Sequence, residues 1–147
     1  MMKVAIACDH GAYEYKDIIK EMLIKEGYEI VDFGCDGPAS VDYPDYAKAC
    51  ANAVANKEVD CGIVMCGTGI GISIACNKVK GIRCALCCDT TMAKLTREHN
   101  DANILSIGQR TTGIETVKDI VHVFLETPFS GLEKHAKRIE KIKMMEE

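Results

Sequence analysis

The sequence predicts an α/β fold, with one domain over residues 1–147 and a five-stranded parallel sheet in a three-layer α/β/α sandwich. Strand-like and helix-like segments alternate five times, which favours a parallel sheet with helices on both faces. The first and the central strand-like segments are short apolar runs, as parallel strands buried on both faces are. A length of 147 residues suits one domain. Together these observations describe a Rossmann-like arrangement.

Five segments have the composition of buried strands. The first is the run Val4-Ala5-Ile6-Ala7, and the central one begins at Cys61. In order, the predicted strands cover residues 3–8, 29–33, 61–66, 83–87 and 104–107. Right-handed crossovers place the carboxyl ends of all the strands on one edge of the sheet. Ligands of open α/β sheets bind at that edge, so residues that directly follow the strands are candidates for a site.

Six segments have apolar residues at helical spacing. They cover residues 13–26, 45–56, 72–78, 90–99, 113–126 and 132–145. Gly27 ends the first helix, and Asp89 or Thr90 caps the fourth. A loop rich in Gly, Pro, Asp and Ser covers 34–44.

The stretch 61–71 joins a strand to a helix through a glycine-rich turn. Gly67, Gly69 and Gly71 let a ligand approach the backbone closely. Free N–H groups at the start of the following helix favour an anion. Cys66 ends the strand beside these groups, where a thiol tends toward the thiolate and can act as a base or a nucleophile.

Two alternatives stay open for this stretch. It can be a tight turn with a buried cysteine, since short glycine-rich turns are common. It lacks the Gly-Lys-Ser/Thr of a Walker loop, and the third glycine of a dinucleotide fingerprint would fall at Ile72. Asp89 lies where a ribose-binding acid is expected, so nucleotide binding also stays open.

Composition disfavours several classes of protein. The formal net charge of −4 argues against a nucleic-acid partner. No segment has the apolar length of a membrane span or the pattern of a secretory signal. We therefore expect a cytoplasmic protein that does not bind membranes.

The nine cysteines are an odd number in a chain without an export signal, which disfavours a disulfide framework. Cys84 and Cys87 have the spacing of a redox pair. They fall within one predicted strand, and residues three apart on a strand point to opposite faces. A thiol redox protein is therefore disfavoured, and we expect most cysteines other than Cys66 to be buried hydrophobic residues.

Two histidine-containing pairs are further candidates. Asp9-His10 follows the first strand, where a carboxylate and an imidazole can share proton work. A plain turn is the alternative. His99-Asn100 ends the fourth helix, and a helix C-cap is the alternative there.

Lys134 and Arg138 lie four residues apart on the last helix and share a face. Two cations on one face can clamp a phosphate. A solvated charged face is the alternative, and it would also account for the other lysines of this helix. His135 has no assigned role, and His122 is interpreted as structural.

Five motifs occur in an order and spacing that resemble one known family. They are Cys8-Asp9-His10-Gly11, Ser40-Val41-Asp42-Tyr43-Pro44-Asp45, Cys66-Gly67-Thr68-Gly69-Ile70-Gly71, His99-Asn100-Asp101-Ala102-Asn103 and Gly108-Gln109-Arg110. Together they resemble the type B ribose-5-phosphate isomerases, whose family also holds the galactose-6-phosphate isomerase subunits. The resemblance covers essentially the whole chain.

The resemblance implies an enzyme of the pentose phosphate pathway, an aldose–ketose isomerase without a metal or other cofactor. Its reaction interconverts D-ribose 5-phosphate and D-ribulose 5-phosphate through an enediolate. The resemblance implies that Cys66 moves a proton between C1 and C2, and that His99 opens the furanose ring. The backbone that would hold the enediolate, with the Thr68 hydroxyl nearby, belongs to Gly67, Thr68, Gly69, Ile70 and Gly71.

The resemblance also implies how the rest of the substrate is bound. The residues implied to contact sugar hydroxyls or the phosphate end are Asp9, Asn100 and Arg110. The residues implied to bind phosphate are His10, Lys134 and Arg138. The expected assembly is a homodimer, or a dimer of dimers, in which the partner subunit supplies His99, Asn100 and Arg110.

Two positions depart from the family pattern. Lys134 is commonly an arginine, and a lysine keeps the charge but loses the bidentate fork. Some members use a glutamate just after the glycine loop as the base, whereas Ile72 stands here and leaves only Cys66. Two alternative functions stay open: an isomerase of another sugar phosphate, such as allose 6-phosphate or galactose 6-phosphate, and a non-catalytic nucleotide- or phosphate-binding module. Simple binding would need neither Cys66 nor His99.

Overall fold

The computed structural model describes residues 2–146, which contain one parallel sheet with helices on both faces. Its strands are β1 (Lys3–Cys8), β2 (Glu29–Asp32), β3 (Cys61–Cys66), β4 (Cys84–Leu86) and β5 (Ile104–Gly108). They lie in the order β2-β1-β3-β5-β4, and every neighbouring pair is parallel. The predicted sandwich around a five-stranded parallel sheet is confirmed.

The helices are α1 (Tyr13–Lys25), α2 (Tyr43–Ala55), α3 (Ile70–Cys76), α4 (Thr90–Asn100), α5 (Ile114–Glu126) and α6 (Glu133–Met144). Every predicted element is present. Asp89 is the cap of α4, because its carboxylate accepts the N–H of Met92 at 2.7 Å. The helix α2 begins two residues before its predicted start, with Pro44 in the first turn, where its missing N–H is not needed.

The helix α3 begins and ends two residues earlier than predicted. It begins at Ile70 because Gly69, with a φ of +76°, already completes the turn from the strand. Asn77, the residue that follows the helix, keeps a right-handed backbone conformation, and its side chain pairs with Cys84. The Asn77 side chain accepts the Cys84 N–H at 2.8 Å and donates to the Cys84 carbonyl at 3.0 Å. This pairing joins the end of α3 to the start of β4.

The two faces of the sheet pack under different helices. Ile6, Met65 and Ile107 belong to a core that also holds buried side chains of α1, α4 and α5. Ala5 and Val64 belong to a second core, with side chains of α2 and α3. Neighbouring residues of an inner strand therefore alternate between two apolar environments, which is why β1 and β3 are buried and apolar along most of their length.

Cys84 and Cys87 pack on opposite faces of the sheet. Cys87 is buried in the core under α1, α4 and α5, and Cys84 packs against the core under α2 and α3. The prediction that these two thiols do not meet is confirmed.

The strand order places a reversal of the chain direction between β1 and β3. The chain moves outward from β1 to β2 and then returns past β1 to β3. Right-handed crossovers then put α1 on one face and α2 on the other. Such a reversal opens the usual ligand-binding crevice at the carboxyl ends of the two strands. Asp9 follows β1 and Gly67 follows β3 at this place.

Two further observations concern the described residues. None of the helices combines the length and the apolar character that crossing a membrane requires. The Nε2 of His122, on α5, lies 2.9 Å from the carboxylate of Glu26 at the end of α1. His122 therefore joins two helices on the surface, away from the crevice.

Candidate active site

Asp9 and His10 form the β1 side of the crevice. The Asp9 carboxylate is buried and accepts the N–H of Gly11 at 2.8 Å. Nδ1 of His10 accepts the N–H of Val41 at 3.2 Å. This bond requires that a neutral His10 carry its proton on Nε2, which leaves Nε2–H as a donor for a ligand. The β1 side therefore offers a fixed carboxylate and a fixed N–H donor.

Cys66 and the glycine loop form the β3 side of the crevice. The Cys66 side chain is buried, and its Sγ accepts the N–H of Gly69 at 3.1 Å. A hydrogen bond of this kind stabilises negative charge on sulfur once the thiol has given up its proton. Within residues 2–146, the N–H groups of Gly67, Thr68 and Gly71 have no hydrogen-bond acceptor. The loop thus presents backbone donors beside a thiol.

Two glycines of the loop are required by its geometry. Gly69 has a φ of +76°, and a Cβ there would lie 2.9 Å from the carbonyl carbon of Ile107. A Cβ on Gly71 would lie 2.7 Å from the ring of Tyr43. The loop is therefore confined between β5 and the start of α2. This confinement holds its N–H groups in place, as a preorganised anion site requires.

Arg110 lies over the glycine loop of its own chain. Its N–H donates to the Gly67 carbonyl at 2.8 Å, and its Cδ would lie 3.0 Å from a Cβ on Gly67. This corrects the expectation that the partner subunit supplies Arg110. The strands β3 and β5 are neighbours, and Cys66 is in register with Gly108, so the fold itself brings Arg110 to the loop.

A second cluster of predicted residues lies on α4 and α6. Its members line one cavity of about 470 Å³: His99, Asn100, Lys134 and Arg138. The lysines at 137, 141 and 143 do not line this cavity. No carboxylate of residues 2–146 lies within ion-pair distance of Lys134 or Arg138. The cavity therefore carries two uncompensated positive charges.

A larger cavity of about 720 Å³ lies beside the end of α6. It shares Asn100 and Ile142 with the smaller cavity. Of the predicted site residues, it contains only Asn100. The predicted phosphate residues of α6 therefore belong to the smaller cavity.

The two clusters lie at opposite edges of the sheet. The helix α4 starts after the carboxyl end of β4 and runs back for 11 residues, about 16 Å. Beyond its end, the Asn103 carbonyl accepts the N–H of Gly62, near the amino end of β3, at 3.0 Å. His99 is therefore near the amino edge, whereas Cys66 is at the carboxyl edge. One chain does not bring His99 to Cys66.

Several of the other thiols are held in the protonated form by their apolar surroundings. Burial raises the pKa of Cys61 to about 12 and that of Cys87 to about 12, and it raises the pKa of Cys8 and Cys50 strongly. All nine cysteines are free. Cys88 lies exposed in the turn between β4 and α4, and Cys61 and Cys84 are only partly buried, so the expected burial holds for the other cysteines.

Three residues that the sequence analysis did not assign support the crevice. Val41 fixes the tautomer of His10, and Tyr43 covers Gly71. The Ser106 hydroxyl donates to the Gly69 carbonyl at 2.6 Å and fixes the loop against β5. Ser106 was detectable as the one hydroxyl within an apolar strand. Val41 and Tyr43 belong to a motif of the family resemblance for which no role was assigned.

The chain matches one known family over most of its length. The family model described as Ribose/Galactose Isomerase matches residues 4–142. The chain belongs to this family. Its members are sugar phosphate isomerases, so the protein is an enzyme, an aldose–ketose isomerase. The resemblance indicated by the five motifs is confirmed.

Individual relatives match over their full length. The protein YwlF of Bacillus subtilis is 54% identical over 147 residues, covering 99% of this chain and 98% of its own. Ribose-5-phosphate isomerase B of Escherichia coli is 44% identical over 147 residues, covering 100% of this chain and 98% of its own. The structure of ribose-5-phosphate isomerase B from Clostridium thermocellum is 52% identical, with a TM-score of 0.97, covering 99% of this chain and 97% of its own. The similarity in both sequence and fold therefore extends over nearly the whole length of the chain.

Proposed function

We propose that this family member interconverts D-ribose 5-phosphate and D-ribulose 5-phosphate, with Cys66 as the base. One observation carries the proposal: a buried thiol at the ligand-binding edge accepts the Gly69 N–H and lies beside further unpaired backbone donors. Relatives named ribose-5-phosphate isomerase B support the choice of substrate. The reaction belongs to the pentose phosphate pathway.

The chemistry starts from the open-chain aldose. The Cys66 thiolate removes the proton from C2, and the electron pair moves onto O1, where backbone N–H groups stabilise the charge. One such donor is worth about 3–4 kcal/mol in comparable sites. The thiol then returns the proton to C1, while O2 loses its hydroxyl proton and O1 gains one. The product carries its ketone at C2, and atoms and charges balance.

In this scheme, Thr68 and Asp9 form hydrogen bonds with oxygen atoms or hydroxyl groups of the sugar. The Thr68 hydroxyl accepts the Ile70 N–H at 3.2 Å, so its own proton is available to a sugar oxygen. The Asp9 carboxylate accepts a hydrogen bond from a sugar hydroxyl. Arg110, over the glycine loop, contacts the substrate from the same chain.

Completing the site requires a second copy of the chain. We infer a homodimer in which His99 and Asn100 of one subunit face Cys66 of the other, because one chain holds these groups at opposite edges of its sheet. Ile70 and Ile74 on α3 are 51% and 56% exposed beside the glycine loop. Apolar surface of this kind is expected where a partner covers it.

In the inferred dimer, the phosphate is bound where the α4–α6 cluster of one subunit meets the crevice of the other. Lys134 and Arg138 supply positive charge, and His10 adds a neutral N–H donor. The phosphate is remote from C1 and C2, so its binding energy orients the reacting carbons.

The proposal also places the protein in the cytoplasm. Its nine cysteines are all unpaired, as thiols in a reducing compartment are.

A substrate screen tests the proposal. The purified protein is offered ribose 5-phosphate, allose 6-phosphate and galactose 6-phosphate, and ketose formation is measured. We expect the highest kcat/KM with ribose 5-phosphate. A preference for a hexose phosphate would keep the mechanism and change the substrate. Ligand binding without any ketose would instead identify a phosphate-binding module.

A further inference from the structure

His135 contacts the ring of His99 from within α6. Only 6% of His135 is exposed, and the two ring centroids lie 4.4 Å apart with the planes tilted by 35°. No group of residues 2–146 forms a hydrogen bond with the His99 imidazole. Contact with the His135 ring is therefore what orients the His99 ring.

A serine in turn holds His135. The Ser130 Oγ lies 2.6 Å from Nδ1 of His135 and accepts the N–H of Leu132 at 3.1 Å. Among residues 2–146, Nδ1 is the one acceptor for the Ser130 hydroxyl proton. A neutral His135 then carries its own proton on Nε2. The Ser130 N–H also donates to the Glu98 carbonyl at 3.2 Å, so the loop before α6 is attached to the residue next to His99.

The groups around His135 disfavour a positive charge on it. Burial lowers the pKa of His135, and the neighbouring His99, Lys134 and Arg138 lower it further, while Glu98 opposes them. A neutral imidazole beside His99 does not repel the charge that His99 carries when it holds a proton.

We propose that His135, held by Ser130, is a positioning residue for His99 in the ring-opening step. The inference rests on the proposed function, together with the furanose-opening role of His99 that the family resemblance implies. In that step the O1 hydroxyl loses its proton, the C1=O1 bond forms, the C1–O4 bond breaks and O4 takes up a proton. His99 exchanges a proton with the sugar, and His135 sets the direction in which its ring faces.

Ribose 5-phosphate and ribulose 5-phosphate differ in whether they form a ring, so assays with the two sugars distinguish the role of His135 from that of Cys66. Ribose 5-phosphate is largely a furanose and must be opened. Ribulose 5-phosphate has its O5 phosphorylated and cannot close a five-membered ring, so it is acyclic. Exchange of its C1 proton with solvent deuterium therefore needs Cys66 and the glycine loop but no ring opening.

The variants are His135→Phe, which keeps a ring in the buried space, and Ser130→Ala. We expect both to lower net conversion of ribose 5-phosphate by about 10- to 100-fold, as small misplacements of a catalytic group do. Deuterium exchange into ribulose 5-phosphate should change by less than about twofold. Adding His99→Asn to His135→Phe should lower the rate little beyond His99→Asn alone, since the two residues act as a unit.

The controls separate this inference from the proposed function. His122→Phe alters a surface histidine and should leave both rates unchanged. Cys66→Ala should abolish both rates, and a failure there would overturn the proposed base rather than the role of His135. If His99→Asn itself affected both rates equally, the ring-opening assignment would be wrong. Equal loss of both rates in His135→Phe with a wild-type Tm, or no loss in either, would overturn the positioning role.

Discussion

The N–H of Gly69 donates to the Sγ of Cys66 over 3.1 Å, while the Gly69 carbonyl accepts the Ser106 hydroxyl at 2.6 Å. The donor that faces the sulfur is therefore held in place by β5. Gly69 in its left-handed backbone conformation, the thiol of Cys66 at the end of β3 and the buried hydroxyl of Ser106 together form one rigid unit. The first predictions concern this unit.

Replacing Cys66 with alanine removes the proposed base and leaves the glycine loop intact. We expect isomerisation of ribose 5-phosphate and exchange of its C2 proton to collapse, while the substrate still binds by calorimetry. Serine should fail nearly as badly, because a hydroxyl is far less acidic than a thiol.

Cys88→Ser is the matched control for this experiment, because Cys88 is the exposed cysteine. It should keep full activity, and in its background iodoacetamide should still inactivate the enzyme, more slowly with sugar phosphate bound. Near wild-type turnover by Cys66→Ala would show that another residue is the base.

Gly69→Ala places a Cβ at a φ of +76°, close to backbone atoms of β5. We expect a loss of about 1–3 kcal/mol in the free energy of unfolding, the usual range for such strain. The kcat should also fall, because the donor to Cys66 moves. Denaturant unfolding and steady-state kinetics measure the two effects.

Gly113→Ala is the control for the glycine loop. Gly113 has a φ of −67°, and a Cβ there would meet no heavy atom within 4 Å. It should be neutral in both measurements. Equal effects of the two substitutions would contradict a special role for Gly69.

Mixing two inactive proteins tests whether the site is shared between subunits. After exchange of equal amounts of Cys66→Ala and His99→Asn, half of the dimers are mixed, and each mixed dimer has one intact site. We expect about a quarter of wild-type activity. Cys66→Ala exchanged with itself should stay inactive. Mixed dimers that are proven by mass spectrometry but inactive would rule out the shared site.

Arg138→Ala should raise KM strongly and also lower kcat, because phosphate binding orients the reacting carbons. Loss of one charge-assisted contact should reduce transition-state binding by about 1.5–3 kcal/mol. Lys134→Arg should be tolerated. Lys141→Ala removes a charge of the same helix outside the cavity and should change little. An unchanged kcat/KM in Arg138→Ala would show that this face of α6 is only a solvated charged surface.

A buried ion pair predicts the response of stability to acid. The Asp32 carboxylate accepts hydrogen bonds from Lys16 at 2.8 Å and Lys20 at 2.9 Å. Burial alone would raise the pKa of Asp32, but these bonds and the Gly34 N–H lower it below its usual value. Its stabilising effect is therefore present above the ordinary carboxyl pKa and is lost as the pH falls through the lowered value.

Asp32→Asn should cost about 3 kcal/mol at neutral pH, since it leaves the buried Lys16 without this partner. As the pH falls below about 5, where such carboxylates titrate, the variant should also lose less stability than the wild type. Thermal unfolding across pH measures both effects. Parallel curves for the two proteins would contradict the assignment.

Local patterns were enough to predict the elements of the fold. Burial on both faces makes the inner strands β1 and β3 apolar along most of their length, and the alternation with amphipathic helices then implies a parallel sheet. The order of strands is different, because it depends on long-range pairing. Only the structure shows that β5 lies between β3 and β4, and this neighbour relation supplies Arg110 and Ser106 to the glycine loop.

The sequence by itself determined the family and predicted the residues of the candidate site, because five motifs keep their order and spacing along the chain. The tertiary structure decided which of those residues meet. The length of α4 carries His99 to the opposite edge of the sheet from Cys66, while α6 packs back on α4 and sets His135 against His99. Such distances follow from how helices pack in space, and residue spacing along the chain does not encode them.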